Sequence, residues 1–327
     1  MIFIRVACCL LAIVGVAALT LGAMLAAPLR SPPPLASIHS GAVSISQDQK
    51  PALSRFQARD GTWLAYRFYP ATAGAPEAND RLAILAHGSS ASSSEMNAAA
   101  LALANAGVAA VALDMRGHGA SGTRGDIAYI GQLDDDLADL IVELRKTYPN
   151  AGLTLIGHSS GGGFALRVAG EALGAKFDRF VLLAPYLGYA APTTRPSEGP
   201  GLWAAPDMPR IAALMAMRRI GLDWGQSLPV IAFANRREAA MVTTSRYSFR
   251  LLANYGPPRD WRDALSSGGS RIALIAGERD ELMDAEAYQR VVAPLGPSVT
   301  VLPEVDHMGI VYQPAAVAAL VEAVTKP

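Results

Sequence analysis

Short apolar runs, interrupted only by Thr154 and Thr300, recur along the chain at residues 82–86, 108–113, 153–156, 180–184, 272–276 and 299–302. Runs of this length suit strands buried on both faces of a parallel sheet. Helical stretches separate them. Residues 98–105 are alanine-rich and close at Gly107. Residues 133–146 open on Asp134, Asp135 and Asp136 and end on Arg145 and Lys146, charges that complement a helix dipole at both ends. Residues 162–173 and 285–292 are two more such stretches. Ahead of them, Arg59-Asp60-Gly61-Thr62 between apolar-rich runs signals a hairpin joining 54–58 to 63–69. An antiparallel start followed by repeated strand–helix units predicts an α/β fold, a mostly parallel sheet with helices on both faces. Between Tyr186 and Arg262 the alternation stops, and Pro, Gly, Trp and an excess of arginine surround one helix-like stretch at 208–220. An insertion of that length inside a compact domain predicts a lid at about 187–262. No internal repeat is visible.

The N-terminus follows a different pattern. Residues 6–29 carry no charge, and Thr20 is their one clearly polar side chain. At about 1.5 Å per residue such a helix crosses the roughly 30 Å of a bilayer core. An uncleaved anchor is the leading expectation for residues 1–30. A cleaved signal is the second, although the apolar region is long and Leu25-Ala26-Ala27 runs straight into Pro28 rather than a cleavage site. A buried core helix is the third. Arg5 and Arg30 flank the run almost symmetrically, so flanking charge does not set its orientation. Either leading reading places the rest of the chain outside the cytoplasm, periplasmic or extracellular. Residues 31–50, rich in Pro, Ser and Gln, read as a linker, and 51–327 as the catalytic domain. The two cysteines, Cys8 and Cys9, are adjacent and inside the apolar run. They cannot staple a domain, and the soluble part has no thiol nucleophile and no cysteine-based metal site.

The 28 basic and 28 acidic residues balance over 327 positions, which argues against a nucleic-acid partner held by a phosphate-neutralising surface. With 51% hydrophobic residues the chain is not intrinsically disordered. Residues 1–30 hold Arg5 and Arg30 and no acid, so the remainder is mildly acidic, at a net −2, with a locally basic lid.

Chemistry concentrates at Leu153-Thr154-Leu155-Ile156-Gly157-His158-Ser159-Ser160-Gly161-Gly162-Gly163, where a strand meets G-x-S-x-G and runs on into a helix. A nucleophile elbow needs this context: small neighbours let strand and helix approach, and the Ser159 hydroxyl stands near the positive helix terminus. The competing interpretation, a phosphate-binding glycine turn, lacks both G-x-G-x-x-G spacing and a Walker lysine. A serine nucleophile needs a base, and the base an orienting acid. Of His39, His87, His118, His158 and His307, the last follows the final strand, in Val305-Asp306-His307-Met308-Gly309. The loop after the penultimate strand offers four carboxylates. Asp280, three positions past Gly277, is best placed; Glu278 is the second choice, and Asp284 suits the cap of the following helix. Asp306 adjoins His307 and is expected to face away. Two backbone N–H donors are needed for the oxyanion. Ser160 supplies one, and the turn Ala86-His87-Gly88-Ser89-Ser90 supplies the other through Ser89.

The elbow, the His87-Gly88 turn and Asp114-Met115-Arg116-Gly117-His118-Gly119-Ala120-Ser121-Gly122 resemble the α/β-hydrolase superfamily. Within it the chain is similar to the monoacylglycerol lipase and lysophospholipase-like group, the serine aminopeptidase S33 or hydrolase-4 type. Residues 277–288 resemble that group's acid-bearing loop and helix, which supports Asp280. The similarity covers about residues 54–187 and 268–325 and leaves the lid unmatched. It implies an α/β-hydrolase fold with an inserted lid, a serine hydrolase acting on carboxylic, lipid or acyl esters, and a Ser159–His307–Asp280 triad without cofactor or metal. Arg116 and His118 take structural roles in the group. Acyltransferase or peptidase chemistry on the same triad, and a non-catalytic binding member, are the alternatives. The lid shows no acidic site for a substrate amino group, which weighs against a peptidase. The expected partners are a small-molecule ester or lipid and a membrane.

Overall fold

The computed structural model describes residues 2–72, 80–195, 202–235 and 243–326. Parts of the expected lid, residues 196–201 and 236–242, lie outside them. A long helix α1 (Ile2–Ala26) opens the chain. The stretch read as a linker contains a second helix, α2 (Ala36–Ser44), with Ile38 and Ile45 buried against the domain. Those two apolar contacts are made with a surface distant in sequence, so no local periodicity announces them.

The domain begins with the hairpin β1 (Leu53–Gln57) and β2 (Trp63–Tyr69), joined through Gly61 at φ +83°. There follow β3 (Arg81–Ala86), α3 (Asn97–Asn105), β4 (Ala109–Leu113), α4 (Gln132–Arg145), β5 (Gly152–His158), α5 (Ser160–Gly170) and β6 (Arg179–Leu183). After the insertion come α8 (Trp261–Gly268), β10 (Ile272–Gly277), α9 (Ala285–Val291), β11 (Ser298–Leu302) and α10 (Pro314–Thr325). The eight strands lie in the order β1-β2-β4-β3-β5-β6-β10-β11. β2 is antiparallel to β1 and to β4, and the remaining pairs are parallel.

The runs of the central strands are apolar because both faces of the sheet are covered there; the run at 299–302 instead forms the edge strand β11, which has no buried position and leaves Thr300 exposed. Ile84, Val111 and Leu155 point to the face packed by α4, α5 and α8. Their neighbours Leu85, Ala112 and Ile156 point to the face packed by α3 and α10, where α2 also docks. Period-2 alternation thus distributes side chains between two cores.

The insertion is a layer of its own. An antiparallel three-stranded sheet, β7 (Ala204–Pro206), β8 (Pro229–Phe233) and β9 (Arg246–Ser248), accompanies α6 (Met208–Arg219) and α7 (Phe249–Asn254). α6 fills the expected helix; the small sheet leaves no periodic pattern in the sequence, since two of its strands are only three residues long.

Arg116 has the structural place expected of it. Its guanidinium is buried and pairs with Asp136 at 2.7 and 2.8 Å and with Asp60 of the hairpin turn at 2.9 and 3.1 Å. Arg116→Ala leaves the buried Asp136 carboxylate without its counter-ion. The expected loss is about 3–5 kcal/mol, read by thermal unfolding as a Tm drop on the order of 10 °C. A shift below about 2 °C would contradict this role.

Candidate active site

β5 ends at His158 and α5 starts at Ser160, so Ser159 occupies the whole turn between them. Its backbone sits at φ +52°, ψ −115°, a region that favours glycine. Three hydrogen bonds hold it there. The Ser159 N–H donates to the Leu183 carbonyl at 2.9 Å, and its own carbonyl accepts from Tyr186 at 2.9 Å and Gly163 at 3.0 Å. The approach of strand and helix depends on glycine: a Cβ on Gly157 would lie 2.0 Å from the Gly161 carbonyl oxygen, and one on Gly161 2.4 Å from that of His87.

Asp280 and His307 come from the loops after β10 and β11, adjacent parallel strands whose C-terminal ends lie side by side. Asp280 Oδ2 is 2.8 Å from His307 Nδ1, and both side chains are buried. The other oxygen, Oδ1, accepts the Leu282 and Met283 N–H groups at 2.8 Å each, which fixes the carboxylate plane. Burial pulls the His307 imidazole down, but the charge and hydrogen bond of Asp280 outweigh it, and the ring is held above its ordinary value of 6.5. The other carboxylates of the region do different work. Glu278 is exposed. Asp284 caps α9 by accepting the Ala287 N–H. Asp306 accepts the Gly309 N–H at 2.6 Å.

Ser159 and His307 line one cavity of about 100 Å³, together with the Gly88–Ser89–Ser90 turn. Two amides of that turn already have partners. Gly88 N–H donates to Glu95 at 2.7 Å and Ser90 N–H to the Tyr247 hydroxyl at 2.6 Å. The lid grips the same turn from outside: Trp203 Nε1 donates to Ser89 Oγ at 2.8 Å and Asn235 to Ser90 Oγ at 2.6 Å. Ser160 stands at the first position of α5, next to Ser159.

His87 and His118 are core histidines. His118 Nδ1 faces the Arg116 carbonyl at 3.3 Å, and its Nε2 accepts from the Tyr247 hydroxyl at 2.6 Å. Burial first, and then the neighbouring His87, push it well below 6.5, so it is neutral. Two contributions escape a sequence reading. Ile38, His39 and Ala42 of α2 form one wall of the cavity, and a buried contact joins Glu95 to His158. The first was masked by the Pro- and Ser-rich composition of the segment. The second pairs residues far apart in the chain, for which no local pattern exists.

The sheet order, the strained serine turn and the inserted lid define an α/β-hydrolase. The family model described as serine aminopeptidase, S33 matches residues 77–254, more than half of the chain. The protein belongs to that family. A search of the curated proteins finds no match. Among solved structures the chain is similar to a monoglyceride lipase from Saccharomyces cerevisiae bound to a substrate analogue. The two are 15% identical, with a TM-score of 0.58 over 84% of this chain and 94% of the other. It is also similar to a bacterial membrane phospholipase A (18% identity, TM-score 0.56, all of both chains). A hydrolase from Pseudomonas aeruginosa PA01 is a third (21% identity, TM-score 0.55, 86% and 100%). At these identities the similarity is one of fold.

Proposed function

We propose that the protein hydrolyses carboxylic esters of lipid or acyl substrates through an acyl-enzyme. The observation that carries the proposal is the strained Ser159 on the same cavity as His307, whose Nδ1 meets the buried Asp280 carboxylate. His307 takes the Ser159 proton at Nε2 as Oγ attacks the ester carbonyl. The amides of Ser89 and Ser160 hold the oxyanion; Ser89 is assigned because its neighbours Gly88 and Ser90 donate elsewhere. Collapse expels the alcohol, which receives the proton from His307. A water deprotonated by the same ring then cleaves the acyl-enzyme and releases the acid. Asp280 keeps the Nδ1 proton in place throughout. Turnover of p-nitrophenyl esters and monoacylglycerols by the full chain tests this, with a fluorophosphonate probe reporting on Ser159. No turnover on any ester and no labelling would refute it.

The same proposal extends to placement: α1 anchors the catalytic domain, residues 51–327 with the lid at about 187–262, to a membrane on its extracytoplasmic side. Phe3–Ala26 is 24 residues long with a mean hydropathy of 2.5 and none of it buried. Retention of the segment is supported by the lid. Arg210 of α6 is buried and donates to the carbonyls of Leu25, at 3.1 Å, and Ala27, the open end of α1. Removing residues 1–27 would strip a buried guanidinium of these partners. Leu25 also packs with Leu214 and Met217 of α6. The loop after α6 exposes Ile220, Leu222 and Trp224 beside Arg218 and Arg219, a composition suited to a headgroup layer. The expected result is resistance of the full chain to alkaline extraction from membranes, with the domain cleaved by protease added outside intact spheroplasts. Release by alkali, or protection from the protease, would overturn the placement.

A further inference from the structure

The residue between Gly157 and Ser159 is more than a spacer in the elbow. His158 is 1% exposed, and each of its ring nitrogens meets an oxygen. Nδ1 lies 2.8 Å from Glu95 Oε1, and Nε2 lies 3.1 Å from the backbone carbonyl of His307. A carbonyl oxygen only accepts, so Nε2 must carry a proton. A neutral imidazole has one N–H and would then aim a lone pair at Glu95. The Nδ1 contact therefore needs a second proton, either on the ring or on the carboxyl. Glu95 Oε1 already accepts the Gly88 N–H at 2.7 Å, and an oxygen taking two N–H donors is best served as a carboxylate. Burial pushes the Glu95 carboxyl up, but the facing His158, His87 and the Gly88 amide outweigh it and hold the group below 4.5.

The contact joins three separate parts of the site. Glu95 sits on the turn Ser93–Met96 before α3 and holds Gly88, whose neighbour Ser89 is the assigned oxyanion donor. His158 ends β5 and is bonded covalently to Ser159. Its far nitrogen holds the backbone of His307, and the two rings lie 4.9 Å apart at 41°. We propose that Glu95 and His158 form a buried carboxylate–imidazolium pair that positions the oxyanion turn and the base of the catalytic site relative to Ser159. They are positioning residues: neither is assigned contact with the reacting atoms.

The proposal rests on the serine-hydrolase reading for its kinetic consequences and on the geometry alone for its charge. The charged and titratable groups facing His307 are Asp280 and Glu281 from the loop after β10, Glu95 from the turn before α3, and His158 from β5. Glu95→Gln keeps the shape and an acceptor for Gly88 but removes the charge that holds the second proton on His158. One of the two His158 bonds is then lost, and the His307 loop loosens. The expected result is a fall in kcat of about 10²-fold, the scale of a misplacement near 1 Å, with KM unchanged within about twofold. His158→Gln leaves Glu95 as an unpaired negative charge near His307 and moves the acid limb of kcat/KM to higher pH.

The direct test is ¹⁵N–¹H spectroscopy of the histidine-labelled full chain at pH 8, with His158→Gln and Glu95→Gln used for assignment. Two proton-bearing ring nitrogens on His158 at a pH where an ordinary imidazole is neutral support the pair. One bare nitrogen there overturns it, including the alternative in which the proton sits on Glu95. A folded Glu95→Gln with wild-type kcat overturns the positioning role. If wild type turns over no ester, the hydrolase reading fails while the spectrum still decides the pair.

Discussion

Ser159→Ala is expected to lower kcat on any ester by roughly 10⁶-fold, the scale seen when the nucleophile of such a triad is removed. Fluorophosphonate labelling should vanish with it. The more informative companion is Ser159→Gly. Alanine inherits the backbone problem, because any side chain at φ +52° pays for its Cβ. Glycine does not, so the dead Gly variant should be more stable than wild type by about 1 kcal/mol or more. The predicted order of Tm is glycine first, with alanine and serine close together below it. The comparison separates the chemistry proposed for the hydroxyl from the stability cost of the strained turn that presents it. Three hydrogen bonds hold that turn in place, one from the Ser159 N–H to the Leu183 carbonyl and two from the Tyr186 and Gly163 amides to the Ser159 carbonyl. A folded Ser159→Ala that still hydrolyses esters would move the nucleophile elsewhere, and a Gly variant no more stable than alanine would remove the strain argument.

The legible parts of this protein were those written in short stretches. Strands buried on both faces are apolar at nearly every position, so β3 to β6 and β10 appear as apolar runs without reference to anything else. The elbow is a local steric solution, and its glycines are required by contacts within a few residues or with the adjacent turn. Gly61, Asp284 and the acid-rich start of α4 are likewise local backbone requirements. What stayed hidden depends on partners brought together by the fold. α2 carries few apolar residues, and only the docking of Ile38, and of Ile45 just after its end, gives it a reason to be ordered. Glu95 follows a run of serines in a segment without periodicity, and its meaning lies in His158 on another strand. Arg210 reads as one more lid arginine until it is seen on the carbonyls that end α1.

Asp280→Asn should reduce kcat/KM by about 10⁴-fold while leaving the fold intact, the size of effect known where an asparagine replaces the acid of a Ser-His-Asp triad. The hydrogen bonds explain why an isosteric change costs so much. Oδ1 of Asp280 accepts two backbone N–H groups, from Leu282 and Met283. In asparagine that position must remain the oxygen, because an amide NH₂ would oppose both donors. The NH₂ is therefore turned toward His307, where Asp280 Oδ2 now lies 2.8 Å from Nδ1. Nδ1 is forced to accept, the ring proton moves to Nε2, and the nitrogen meant for the Ser159 proton is already occupied. The pH profile should shift as well. In the proposed mechanism His307 acts as a base only when neutral, and Asp280 holds its ring above 6.5, so the acid limb of wild-type kcat/KM is expected above that pH. The attraction stabilises the folded state fully below the unfolded value near 6.5 and is lost as pH rises through the higher folded value. Without the carboxylate, burial acts on the imidazole with its strongest support gone, and the residual activity should keep its plateau to lower pH. An Asp280→Asn variant with near wild-type activity would return the role to Glu278. A limb that stayed in place would show that His307 is not the group titrating.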